Sequence, residues 1–204
     1  MADGPIQLDS LAQAEAHIRA WLDRSAHMRP LIAIGGPVGS GKSTLARRVG
    51  GLVGGLVIST DDYLPDYEGL EPHERDLPER SDLARLARDL ADLRESGRAQ
   101  IPTWCFREHR RTGEREAWAE GPVVVEGIFA LHPVASAGSD LRVLVVADRS
   151  TRWARWERIE LLGERGMGVD AARDHFDHVA EPTYERHAHL YALGLDLVVL
   201  NEGI

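Results

Sequence analysis

Residues Gly36-Pro37-Val38-Gly39-Ser40-Gly41-Lys42-Ser43 fit the pattern G-x-x-x-x-G-K-[ST], and they follow the apolar run Leu31-Ile32-Ala33-Ile34. Chemistry at this spacing is anion binding. Glycines let the backbone curl until its N–H groups face a phosphate, with no side chain in the way. Lys42 then reaches the terminal phosphates, the Ser43 hydroxyl is placed for Mg²⁺, and the helix that opens at Ser43 and Thr44 points its positive end at the same anion. A nucleoside triphosphate is the expected ligand.

Carboxylates stand where such a ligand needs them. The segment Ser59-Thr60-Asp61-Asp62-Tyr63 closes the apolar run Leu56-Val57-Ile58, and Val123-Val124-Val125-Glu126-Gly127 closes another. A hydroxyl that receives a phosphoryl group needs a positioned base, which either Asp61 or Asp62 could supply, the other capping the turn that follows. Glu126 has the place of an acid that holds Mg²⁺ directly or through water, and Gly127 would let the backbone pass close to a ligand. Farther on, Arg152, Arg155 and Arg158 recur every three residues, and Arg165 lies among Gly163, Gly166 and Gly168. Arginines on a lid with glycine hinges can close over a transferred phosphoryl group; the competing reading is a solvated helix face paired with Glu157, Glu160 and Glu164. The histidines His175, His178, His187 and His189 show no third ligand and read as surface residues.

The elements that carry these residues follow from periodicity. Apolar runs at Leu31 to Ile34, Leu56 to Ile58, Val123 to Val125, Leu141 to Val146 and Leu195 to Leu200 suit five mostly parallel strands covered on both faces. Leu83, Leu86, Leu90 and Leu93 form a helical stripe capped by Ser81 and ended by Gly97, and Leu8, Leu11, Ile18, Trp21 and Leu22 place a preceding helix within residues 1–29. Strand and helix alternation gives a doubly wound α/β sheet. Leu64 to Arg80 and Thr103 to Trp118 lack clean periodicity and read as insertions, within residues 64–118, that cover a substrate at the carboxyl ends of the strands. Residues 150–168 form the lid.

Bulk properties limit the classes. A chain of 204 residues suits one domain. With 24 basic and 33 acidic residues its net charge is −9, against a general nucleic-acid binder. The single cysteine, Cys105, fits a reducing compartment. No apolar stretch approaches the roughly 20 residues that cross a bilayer. A cytoplasmic protein with a small-molecule acceptor, no nucleic acid and no membrane is expected; a homo-oligomer is compatible with all of this.

Taken together, these residues resemble the uridine kinase branch of the phosphoribulokinase and uridine kinase family of P-loop kinases. The resemblance runs from about Leu31 onward and rests on the phosphate loop, Ile58-Ser59-Thr60-Asp61-Asp62-Tyr63, Val125-Glu126-Gly127-Ile128-Phe129-Ala130-Leu131 and Glu164-Arg165-Gly166. It implies the P-loop NTPase fold, ATP and Mg²⁺, a nucleoside such as uridine or cytidine as acceptor, and Asp61 as the catalytic aspartate. It also implies Lys42 and Arg165 at the transferred group. By the same resemblance Asp76-Leu77-Pro78 stands where nucleoside kinases carry Asp-His-Pro, whose aspartate holds ribose hydroxyls. Ile101-Pro102-Thr103-Trp104-Cys105-Phe106-Arg107-Glu108-His109 stands for Pro-x-Tyr-Asp-Phe-x-x-His, which meets the base. The acceptor set is then Asp61, Tyr63, Asp76, Trp104, His109 and Arg158. Trp104 and Cys105 replace a tyrosine and an aspartate, Glu160-Leu161 replaces an Arg-Asp pair, and Met167 replaces an arginine. Pantothenate or a sugar as acceptor, or a nucleotide-dependent regulatory ATPase, are the competing readings.

Overall fold

The computed structural model describes residues 4–203. Its centre is a parallel sheet of six strands in the order β1 (Ile6–Leu8), β8 (Leu197–Leu200), β7 (Leu141–Val146), β2 (Leu31–Gly35), β6 (Val123–Gly127), β3 (Leu56–Ser59). Register pairs Ile34 with Glu126 and Val143, so the end of β2 sits between the ends of β6 and β7. Chain order reverses there, with β3 on one side of β2 and β8 on the other. This is the switch point where open α/β sheets bind ligands.

Alternation along the buried strands feeds two cores. Leu31, Ala33, Val123 and Val125 face α3 (Leu83–Ser96) and the residues around Phe129, whereas Ile32, Ile34, Val124, Val143 and Val145 face α1 (Leu11–Leu22) and α2 (Lys42–Val53). Burying each of these side chains contributes about 1.5–3 kcal/mol, enough to make the strand ends that carry the polar residues rigid. Helices therefore cover both faces, as expected, and among the described residues no helix is long and apolar enough to cross a membrane.

The five expected strands are present, but the sheet has six. β1 is a three-residue edge strand paired with β8, and Leu8, read as helical, belongs to it. The helix then begins at Leu11, with Ser10 Oγ accepting from the Gln13 N–H at 3.2 Å. α3 is capped by Asp82, one residue after the expected Ser81, and ended by Gly97 in the left-handed region.

The stretch read as an insertion, Thr103 to Trp118, forms part of an antiparallel ribbon of β4 (Arg98–Cys105) and β5 (Arg110–Trp118). Ala99 and Ile101 turn inward while Arg98 and Gln100 face solvent. A register shift between Thr103 and Trp104 then interrupts the alternation, which is the mark of a bulge. Residues Leu64 to Arg80 carry one short 3₁₀ turn, Pro72–Glu74. The remaining helices are α4 (Arg149–Leu161), α5 (Val169–His175) and α6 (Glu181–Tyr191), with a π-helical turn at Phe176–Ala180 between the last two.

Candidate active site

The phosphate loop leaves β2 and enters α2 through Gly39 and Gly41, at φ 74° and 97°. Both values lie in the region that glycine adopts at little cost. Neighbours leave no room for a side chain either: a Cβ on Gly39 would overlap the Arg152 carbonyl and one on Gly41 the Asn201 amide. Lys42 folds back over the loop, its Nζ donating to the Pro37 carbonyl at 3.3 Å. Burial pulls its ammonium below the usual lysine range, opposed by the charges of Glu126 and Asp61.

Glu126 ends β6 beside this lysine. Ser43 Oγ donates to Glu126 Oε2 at 2.7 Å. Burial raises the Glu126 carboxyl above the ordinary carboxylate range, Asp61 adds to the rise, and Lys42 and Ser43 oppose it. A hydroxyl and a carboxylate in contact are hard oxygen donors of the kind Mg²⁺ takes. Among the described residues no group of three or more His, Cys, Asp or Glu side chains could hold a metal ion. That donor set fits a cation that arrives with phosphates and takes only one or two protein ligands.

A stability prediction follows from the Glu126 environment. A carboxyl whose folded-state pKa is raised contributes stability that is present below its unfolded pKa and lost as pH rises through the folded one. At neutral pH the ionised form is therefore a cost, offset by its attraction to Lys42. In a Lys42→Met background, where that attraction is gone, Glu126→Gln should raise the melting temperature measured by calorimetry, by about 2–4 °C per kcal/mol regained, with the gain shrinking as the buffer is acidified. No gain at neutral pH in that background would contradict the burial of an ionised Glu126.

The two adjacent aspartates diverge. Both lie in the 3₁₀ turn Thr60–Tyr63, where Ser59 Oγ accepts from the Asp61 N–H. Asp61 lines the cavity together with Lys42 and Ser43. Asp62 faces the ribbon, with Arg115 Nη2 at 3.7 Å, and burial raises its carboxyl. Tyr63, expected at the acceptor, is instead a core residue, fully buried with its hydroxyl donating to Asp89 at 2.9 Å. The close approach at Gly127 also differs from expectation, because it is the Thr60 side chain that packs there.

Away from the phosphate loop the cavity is aromatic. Tyr67 stacks on His109 with ring centroids 5.4 Å apart at 22°, and Trp104 lies 5.0 Å from Tyr67 and 5.0 Å from Phe106. His109 sits in the turn between β4 and β5 at φ 52°, a sparsely populated conformation for a residue with a side chain. Hydrogen bonds from His109 N to Cys105 O and from Tyr67 N to His109 O hold it there. The Trp104 indole N–H donates to the Pro65 carbonyl at 3.1 Å, so that donor is already engaged while the residue lines the cavity.

Asp76 closes the far end with a partner that reading the sequence missed. His175 Nε2 lies 3.0 Å from Asp76 Oδ2, the two side chains being 13% and 17% exposed. His175 is thus a cavity residue and not the surface residue expected. A π-helical turn follows directly, and its i→i+5 spacing is compatible with His175 and Ala180 both lining the cavity. His187 is likewise buried, its ring held against the Thr183 carbonyl, while His178 and His189 are exposed as expected.

The expected lid separates into two parts. Arg152 is buried and pairs through both guanidinium nitrogens with Glu181, and Arg155 holds backbone carbonyls of the phosphate loop. Arg158 is exposed and lines neither the aromatic cavity nor the space over the phosphate loop. Arg165 lines both, its guanidinium 5.0 Å from the Phe106 ring and 5.7 Å from the Trp156 ring. The turn that carries it is fixed by Glu160, which accepts from the N–H groups of Met167 and Gly168 and from the Trp156 indole, each at 3.1 Å.

Comparison with known proteins places this geometry. The Phosphoribulokinase / Uridine kinase family matches residues 31–189. The chain belongs to this family. It is a phosphotransferase whose acceptor group is a hydroxyl. A uridine kinase of Clostridium novyi (strain NT) is 29% identical over 187 residues, covering 86% of this chain and 89% of the relative. A uridine kinase of Deinococcus deserti is 33% identical over 142 residues, covering 64% and 69%. Among solved structures, a candidate fructose transport system kinase from Silicibacter sp. TM1040 superposes with TM-score 0.75 at 23% identity, over 93% of this chain and 98% of the other. A possible uridine kinase from Bacillus stearothermophilus gives TM-score 0.62 at 17% identity, over 93% and 98%. This chain shares the α/β P-loop kinase fold of these structures.

Proposed function

We propose that the protein transfers the γ-phosphate of ATP, with Mg²⁺, to a hydroxyl of a small neutral acceptor that carries a flat ring, a nucleoside such as uridine or cytidine. One observation carries this reading: Lys42, Ser43 and Asp61 line the same cavity as Tyr67, Trp104 and His109. A phosphate site and a ring-stacking site thus share one space, with a carboxylate at their junction.

Chemistry follows from that juxtaposition. The acceptor hydroxyl donates to Asp61, which takes the proton as the hydroxyl oxygen bonds to the γ-phosphorus and the bond to the bridging oxygen of ADP breaks. Lys42 and the loop amides hold the phosphates in line, and Arg165 meets the charge that spreads over the transferred group. Ser43 and Glu126 would hold Mg²⁺, whose contribution when bound is to neutralise the phosphate oxygens. The ring of the acceptor lies against the Trp104 and Tyr67 faces. Its remaining hydroxyls meet Asp76, which His175 orients by donating to one carboxylate oxygen.

A sugar acceptor is the second reading. Its motive is that the Trp104 N–H is spent on Pro65, which leaves a base only His109 and the Tyr67 hydroxyl as hydrogen-bonding side-chain groups in the ring stack among the described residues. ADP release measured across uridine, cytidine, purine nucleosides, pantothenate and hexoses separates the readings: the first expects the pyrimidine nucleosides to accelerate it most. Equal, acceptor-independent release throughout would defeat both.

His175→Ala is expected to raise the acceptor KM roughly 10-fold, as befits a half-buried carboxylate deprived of its donor, while the ATP KM stays at the wild-type value. Equal rises in both constants would count against the assigned role.

A further inference from the structure

The Gly39 and Ser40 carbonyls of the phosphate loop are held by two side chains that the proposed chemistry does not use, beside Arg152 on the Val38 carbonyl at 3.4 Å. Arg155, on α4, donates from Nη1 to the carbonyls of Gly39 at 3.0 Å and Ser40 at 3.2 Å, and from Nη2 to those of Asn201, at 2.8 Å, and Gly203. Asn201, just after β8, donates from Nδ2 to the same Ser40 carbonyl at 2.7 Å. One carbonyl therefore accepts from both side chains. A guanidinium that spends its donors on neutral carbonyls differs from its neighbour Arg152, whose charge is met by Glu181.

Peptide geometry converts this grip into an effect on the ligand. In a planar trans peptide the C=O and the following N–H point in opposite directions. Holding the Ser40 carbonyl outward aims the Gly41 N–H into the concave side of the loop. Among the described residues no backbone carbonyl accepts from that N–H. It is a donor left for an anion, and without Arg155 and Asn201 the peptide between Ser40 and Gly41, with glycine at 41 and again at 39, could turn it away.

We propose that Arg155 and Asn201 are positioning residues for the nucleotide: by fixing the Ser40 carbonyl they preorganise the loop amides that bind the phosphates. This rests on the ATP-dependent reading above, though its test does not require phosphoryl transfer. ADP binding to the full chain is measured by titration calorimetry for wild type, Arg155→Met, Arg155→Lys, Asn201→Ala and the double variant Arg155→Met/Asn201→Ala, with melting temperatures alongside.

Each of Arg155→Met and Asn201→Ala is expected to weaken ADP binding roughly 10-fold, and Arg155→Lys to recover part of the loss. The double variant should lose less than the product of the two, because both act on one carbonyl. Where turnover is measurable, the ATP KM should rise and the acceptor KM should not. Lower melting temperatures with ADP affinity within about twofold of wild type would reduce both residues to a structural role and overturn the proposal. A wild-type chain that binds no ADP at all would overturn it together with the ATP reading, so the two failures are told apart by the wild-type titration.

Discussion

Asp61→Asn lowers turnover by roughly 10²–10⁴ while ADP binding stays near wild type. The substitution keeps the shape of a side chain that lines the cavity between Lys42 and the aromatic wall. It removes the one property the reaction uses, a lone pair basic enough to take the acceptor proton. Asp62→Asn provides the internal control, since Asp62 faces Arg115 on the ribbon and not the cavity. Its turnover should remain within a few-fold of wild type. Steady-state kinetics on both variants, with calorimetric ADP titrations, check the pair; a loss at Asp62→Asn equal to that at Asp61→Asn would overturn the assignment.

Arg165→Met is expected to reduce kcat by roughly 10³, the low end for an arginine that meets the transferred phosphoryl group. Its guanidinium lies over the rings of Phe106 and Trp156, at the border between the space above the phosphate loop and the aromatic cavity. Burial of the apolar part of Met against the same rings should leave the fold intact, so the melting temperature is expected to hold. Arg165→Lys keeps a positive charge but loses the planar fork that fits phosphate oxygens and stacks on rings, and it should recover only part of the rate. A kcat unchanged in Arg165→Met, with stability reduced, would make this residue a strut between the ribbon and α4.

Much of the site was legible because its signals are local. The phosphate loop, Glu126 at the end of an apolar run and the Leu stripe of α3 each depend on a few consecutive residues, and each stands where expected. What escaped depends on contacts distant in the chain. β1 has only three residues and owes its existence to pairing with β8, so Leu8 carried no strand pattern of its own. The ribbon hid because it is buried on one side only and its bulge at Thr103 and Trp104 breaks the period of two. Tyr63 gave no sign that its hydroxyl would turn away to Asp89, 26 residues on.

Histidine spacing misled for a related reason. His175 and His178 carry no sign in the sequence that sets them apart, whereas in the fold His178 is exposed and His175 meets Asp76, 99 residues earlier. The density of aromatic residues in the two aperiodic stretches was the available signal for that end of the cavity, since Tyr67, Trp104, Phe106 and His109 all come from them. Arg155 shows in the sequence only as one of a periodic arginine run that reads as a lid, and Asn201 carries no signal, because the partners of both are backbone carbonyls of the loop.

The central claim is that one cavity joins a triphosphate to a hydroxyl acceptor, and product stoichiometry tests it most directly. Protein incubated with ATP, Mg²⁺ and uridine or cytidine, resolved by phosphorus NMR, should yield one nucleoside monophosphate for each ADP. Almost no ADP should form when the acceptor is omitted. ADP and inorganic phosphate appearing at the same rate with and without any acceptor would contradict the account.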